Sequence, residues 1–137
     1  MKLHENWLIK ARSDLRSSKK LIKGDDPIFD TSIYHTQQCA EKGLKAYLAF
    51  KKQPIEKTHD IEFLLELCIE HDPDFKNLIE EAEKINPYSI LYRYPHVVLE
   101  PEEQQVHEAI VIAEKLLNFV EKKIEAEQDS QEENENE

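Results

Sequence analysis

Arg93, Tyr94, Pro95 and His96 stand side by side in an otherwise plain helical sequence. A guanidinium fits phosphate oxygens at two points, and an imidazole exchanges a proton near neutral pH. Together Arg93 and His96 have the parts for RNA chemistry: the histidine would take a ribose 2′-hydroxyl proton while the arginine balances phosphorane charge. Arg93 alone would suffice as a phosphate contact, with Tyr88, Tyr92 and Tyr94 available to stack a base. The same residues also read as a helix end, where Pro95 blocks continuation and Arg93 caps carbonyls, pairs with an acid or meets a dimer mate. Catalysis, phosphate binding and structure all stay open for this stretch.

A second set of cations lies near the start of the chain. Arg12, Arg16, Lys19 and Lys23 recur at i, i+4, i+7 and i+11, which puts them on one helical stripe, with Lys20 alongside and Lys42 and Lys45 further on. Such a stripe suits a nucleic-acid backbone, an acidic partner or simply water. Gln37, Gln38, Glu41 and Lys42 fall on consecutive turns. Gln37 sits on the apolar stripe, where a buried amide must find partners, so it is expected to bond across a dimer axis or to the 88–94 segment. Gln38 is placed with it in a structural or interface role. His59, just before an apolar run, reads as a local cap. His35 and Cys39 are spaced i, i+4 but supply only two ligands where zinc needs three or four, so neither a metal nor another cofactor is expected. No glycine-rich phosphate loop or nucleophile elbow is present.

The elements that must position these residues are helices. Leu8, Ala11, Leu15, Ser18 and Ile22 give one apolar face over residues 5–23, and Gly24 and Pro27 end it. A second helix starts at Asp30 or Thr31, both good caps, and turns Ile33, Gln37, Ala40, Leu44, Tyr47 and Leu48 inward before Pro54. A short third helix follows Thr58, His59 and Asp60 and reads as largely buried. The fourth begins near Pro73, carries Phe75, Leu78, Ile79, Ala82 and Ile85, and must kink or restart at Pro87. The fifth follows the acidic residues 100–103 and runs on Val106, Ala109, Ile110, Ala113, Leu116, Leu117, Val120 and Ile124.

With 137 residues, 39% of them hydrophobic and only 2 glycines, the chain suits one domain of long regular elements. The net charge of −11 is unevenly spread. Residues 1–57 hold 12 Lys/Arg against 7 Asp/Glu, residues 58–124 hold 6 against 15, and residues 125–137 hold 7 acids and no base. We therefore expect a domain over 1–124 and an acidic tail over 125–137, disordered or a fraying helix extension. No window approaches the length of a membrane span, no signal peptide is visible, and Cys39 and Cys68 are isolated thiols. A cytoplasmic protein is expected.

Taken in order, "ARSDLRSSKKLI", "YHTQQCAEKGLKAYLAF", "KTHDIEFLLELC" and "YRYP" resemble the HEPN domain (higher eukaryotes and prokaryotes nucleotide-binding). The most specific part is Gln37-Gln38 through Leu48, followed by Thr58, His59 and Leu64, then Arg93-Tyr94-Pro95; the match spans residues 5 to about 124. The resemblance implies an all-α, up-and-down bundle of four long helices plus one short one, paired as a symmetric homodimer. It also implies nucleotide or RNA binding, with a minimal nucleotidyltransferase encoded alongside as a toxin–antitoxin pair, or metal-independent ribonuclease activity across the dimer interface. Ribonuclease members carry an Arg and a His with four to six residues between them. Here neither Arg12, Arg16 nor Arg93 has a His at that spacing, and His96 lies three residues after Arg93. Catalysis by Arg93 and His96 thus departs from the pattern.

Overall fold

The apolar stripes read from the sequence meet around the second helix, α2. The computed structural model describes residues 1–54, 56–96 and 98–135. It orders them as α1 (Leu3–Leu21), α2 (Phe29–Phe50), α3 (Ile61–His71), α4 (Ile79–Ile85) and α5 (Glu103–Glu135), with 3₁₀ turns at Pro73–Leu78 and Asn86–Ser89 flanking α4. Among the described residues there is no strand. Helices α1, α3 and α5 all pack on α2, which is why its inward residues Ile33, Gln37, Ala40, Leu44, Tyr47 and Leu48 are fully or almost fully buried.

The main core joins Leu44, Tyr47 and Leu48 to Leu64, Phe75, Leu78, Leu116, Leu117 and Val120. Phe75 packs against Tyr47 at 4.5 Å, with the rings tilted, and edge-on against Phe119 at 5.0 Å. Burying each such ring stabilises the bundle by about 1.5–3 kcal/mol. A smaller cluster of Ile33, Val106, Ala109 and Ile110 lies against Tyr88 and Tyr92. It props up the chain that leads to Arg93.

Several boundaries move from their expected places. Helix α2 begins at Phe29 rather than at an Asp30 or Thr31 cap. Its start is set by the backbone, because the Ile28 amide bonds the Leu21 carbonyl at 2.8 Å, while Asp30 accepts from the Thr31 amide instead of capping the helix. Gly24, at φ +87, makes the left-handed turn after α1 that a side chain would strain. In the fourth element the change from 3₁₀ to α winding rotates the apolar face, so Phe75, Leu78, Ala82 and Ile85 are buried but Ile79 is 41% exposed. After Pro87 only one 3₁₀ turn forms, and Ile90 and Leu91 face solvent. Helix α3 buries one side only, leaving Phe63 exposed. Helix α5 continues through Glu135, and Glu127 accepts a hydrogen bond from the Tyr47 hydroxyl at 3.1 Å.

Candidate functional site

Arg93 is exposed, and its guanidinium carbon lies 3.9 Å from the centre of the Tyr34 ring. Among the described residues no carboxylate pairs with it. The cation therefore sits over an aromatic face, with no carboxylate among the described residues competing for its N–H groups. A shallow cleft here is lined by Asp30, Thr31, Tyr92 and Arg93. Tyr92 leans on Tyr88 at 5.9 Å, and burial pushes the Tyr88 phenol up from its ordinary pKa. Tyr94 and His96 lie near-parallel at 6.5 Å on the exposed side of the same segment. Pro95 is exposed beside them. Arg93 and His96 thus share a segment, but Arg93 is anchored on α2 and His96 rests on Tyr94.

Below Tyr34, the seam between α1 and α2 encloses two carboxylates that sequence reasoning passed over as site residues. Asp14, 7% exposed, accepts from His35 Nδ1 at 2.8 Å and from Lys42 Nζ at 2.6 Å. Glu41, 3% exposed, accepts from Lys45 Nζ at 3.0 Å and from His59 Nδ1 at 2.8 Å. Lys45 also lies over the Trp7 ring. A buried ionised carboxylate is tolerable only when fully partnered, and each of these has a lysine and a histidine. The available signal for Asp14 was an acid falling on the buried stripe between Ala11 and Ser18.

The remaining candidates take other roles. Gln37 donates to the His59 carbonyl at 2.9 Å and accepts from Gln38 at 2.8 Å, so its amide is satisfied within the chain and not by the 88–94 segment. The side chain that caps α3 is Asp60, which accepts from the Phe63 amide, and His59 turns to Glu41 instead. Arg12 is clamped at two points by Glu121 of α5, which raises its pKa, and Lys19 is held by Glu114. Arg16 and Lys20 on α1, and Lys23 just beyond its end, are exposed without an acid partner among the described residues. The basic stripe is therefore split between cations tied to α5 and cations open to solvent. Cys39 is fully buried, with its thiol pushed up to about 12 chiefly by burial, and burial raises Cys68 likewise. Among the described residues no helix is long and apolar enough to cross a membrane, and no three His, Cys, Asp or Glu side chains gather as a metal site would need.

The family model for the HEPN domain matches residues 4–123, and the chain belongs to that family. The crystal structure of TT1696 from Thermus thermophilus superposes with a TM-score of 0.76 at 31% identity, covering 90% of this chain and 99% of that one. That of ST0689, an archaeal HEPN homologue, gives 0.71 at 28% identity over 90% and 99% of the two chains. A Methanocaldococcus jannaschii protein named "Putative toxin MJ1304" is 30% identical over 96 residues, covering 65% of this chain and 61% of that relative's length.

Proposed function

We propose that this HEPN domain binds the phosphates of a nucleotide or RNA through Arg93, with Tyr88 and Tyr94 beside it. It acts as a cytoplasmic symmetric homodimer, together with a minimal nucleotidyltransferase as a toxin–antitoxin pair. One observation carries the ligand reading. Arg93 lies over the Tyr34 ring without a carboxylate partner among the described residues, whereas Arg12, the rival phosphate contact, already spends its fork on Glu121. The exposed Arg16 adds charge for a longer ligand. The toxin role draws on the name of the archaeal relative, and the partner and the dimer draw on the family resemblance alone. The rival reading, a ribonuclease using Arg93 and His96, is favoured only by their sharing one exposed segment.

Fluorescence anisotropy with a labelled single-stranded RNA and with a labelled ATP analogue tests the site. Arg93→Ala should weaken binding about tenfold or more, the loss of a charged hydrogen-bonding group. Arg93→Lys should recover only part of it, because an ammonium lacks the planar fork. Unchanged affinity in Arg93→Ala would end the reading.

A further inference from the structure

Between α3 and α4 runs an apolar groove whose acidic rim has no counter-ion among the described residues. We propose that this groove receives a basic amphipathic helix of a partner protein, with apolar side chains down one face and Lys or Arg on both flanks. The inference stands apart from the Arg93 reading.

The charge is set by the sequence. Residues 60–83 hold 9 Asp/Glu and one Lys, Lys76. Some of these acids face α5, and there they are paired: Lys123 holds Asp72 and Asp74, and Lys115 holds Glu81. Along the groove the pattern differs. Glu62 and Glu66 line it from α3 and Glu83 lines it from α4. Among the described residues no Lys, Arg or His pairs with any of the three. The seam with α5 brings its own cations, and the groove does not.

Its floor is apolar. Leu65 and Ala82 are buried, Ile69 is half-buried and Ile79 is 41% exposed. The switch from 3₁₀ to α winding turns Ile79 outward, so this side chain is left outside the core. Phe63, 38% exposed, neighbours Glu66 at i, i+3 and widens the apolar surface. Exposed apolar side chains beside a polar rim mark a binding surface. Asn86 braces one end of the groove. Its amide nitrogen donates to Asp60 at 3.0 Å and to Glu62 at 3.1 Å, and its oxygen accepts from the Ile61 amide at 2.7 Å. The two walls are held in place before any partner arrives, which lowers the cost of binding.

Dimensions and charge select the occupant. Glu62 and Ile69 lie about 10 Å apart along α3. That length fits two turns of a helix laying apolar side chains at i, i+3 and i+4 into the groove. Glu62 and Glu66, one turn apart on one wall, suit two cations on one flank of that helix, and Glu83 suits a third on the other. The same carboxylates repel a nucleic acid or an anionic bilayer. A second copy of this chain carries a net charge of −11 and is disfavoured for the same reason.

The test is an NMR titration of the isotope-labelled full chain with a synthetic peptide of about 15 residues, leucine along one face and lysine on both flanks. Backbone shifts should saturate and centre on residues 62–69 and 79–83. Ile79→Ser should weaken binding about tenfold or more, and so should Glu66→Lys combined with Glu83→Lys. Glu132→Lys combined with Glu133→Lys makes the same change in net charge at the end of α5, and should alter affinity by less than about twofold. All the substituted side chains are exposed, and an unfolding midpoint for each variant separates loss of fold from loss of binding. The same peptide with glutamate in place of lysine should not bind. No binding at millimolar peptide, shifts centred on the end of α5, or equal losses from the two charge reversals would overturn the proposal. So would a change in the sedimentation of the unliganded chain on Ile79→Ser, since a second copy would then occupy the groove.

Discussion

The seam between α1 and α2 and the segment over residues 90–96 each hold a histidine near a cation, and they treat it differently. In the seam, His35 is fixed by a buried carboxylate that rigid helices on both sides hold in place. In the segment, His96 and Tyr94 stack on each other at the surface, while Tyr92 and Arg93 reach back to the bundle. Residue type alone would rank the two histidines equally. What separates them is what lies behind the ring, because chemistry needs a group held in one orientation more than it needs a group nearby.

The comparison can be broken most severely at Glu41. Replacing it by Ala leaves Lys45 buried without its counter-ion, and we expect a loss of about 3–5 kcal/mol in urea unfolding. A loss below about 1 kcal/mol would mean the seam tolerates unpaired charge and positions nothing. Acid provides the next test. Although partial burial opposes it, the hydrogen bond from Lys123 holds the Asp72 carboxyl below its ordinary pKa, and Lys115 does the same for Glu81. Near pH 4 the unfolded chain then binds more protons than the folded one, so stability is complete above about pH 5 and falls as pH drops through the lowered folded values. Lys123→Met should make that acid limb shallower in unfolding curves taken across pH, and an unchanged limb would remove Asp72 as a contributor.

Smaller effects belong to the surface. Arg12→Ala breaks a pair whose arginine side chain is 52% exposed, and should cost at most about 1 kcal/mol by chemical unfolding. A cost as large as that of Glu41→Ala would show α5 to be fastened to α1 by charge. Tyr94→Ala should move the unfolding midpoint least of all, within about 0.5 kcal/mol, since the ring is 57% exposed. A larger change would place Tyr94 among the residues that hold the segment to the bundle.

Periodicity recovered the inward residues of α2 and α5 almost completely, because a helix core obeys the i, i+3, i+4 rule whatever its partners are. Residues 73–92 were less legible. There the winding switches between 3₁₀ and α around Pro73 and Pro87, and a fixed period misplaces Ile79, Ile90 and Leu91. Among the residues of the proposed site, Arg93 stands out in the sequence by its type and setting. Tyr34 is not linked to it there, nor Asp14 to His35, since their meeting depends on how α1, α2 and the 90–96 segment fold against one another. Gln37 showed the same limit: its burial was legible and its partner, the His59 carbonyl, was not.

The broken fourth element has a consequence for how the molecule opens. After α4 the backbone is secured by a few local bonds, from the Ile90 and Leu91 amides to the Pro87 carbonyl and from the Arg93 amide to that of Ile90. Side-chain anchorage comes from Tyr88 and Tyr92 on the small cluster and from Arg93 on Tyr34. Such a stretch belongs to the low end of a protein's local unfolding energies, while α2 at the centre opens only with the whole. Amide hydrogens at 90–93 should exchange with solvent far sooner than those of α2. A ligand that grips Arg93 would slow that exchange, so occupancy of the site could be read from the backbone without following any reaction.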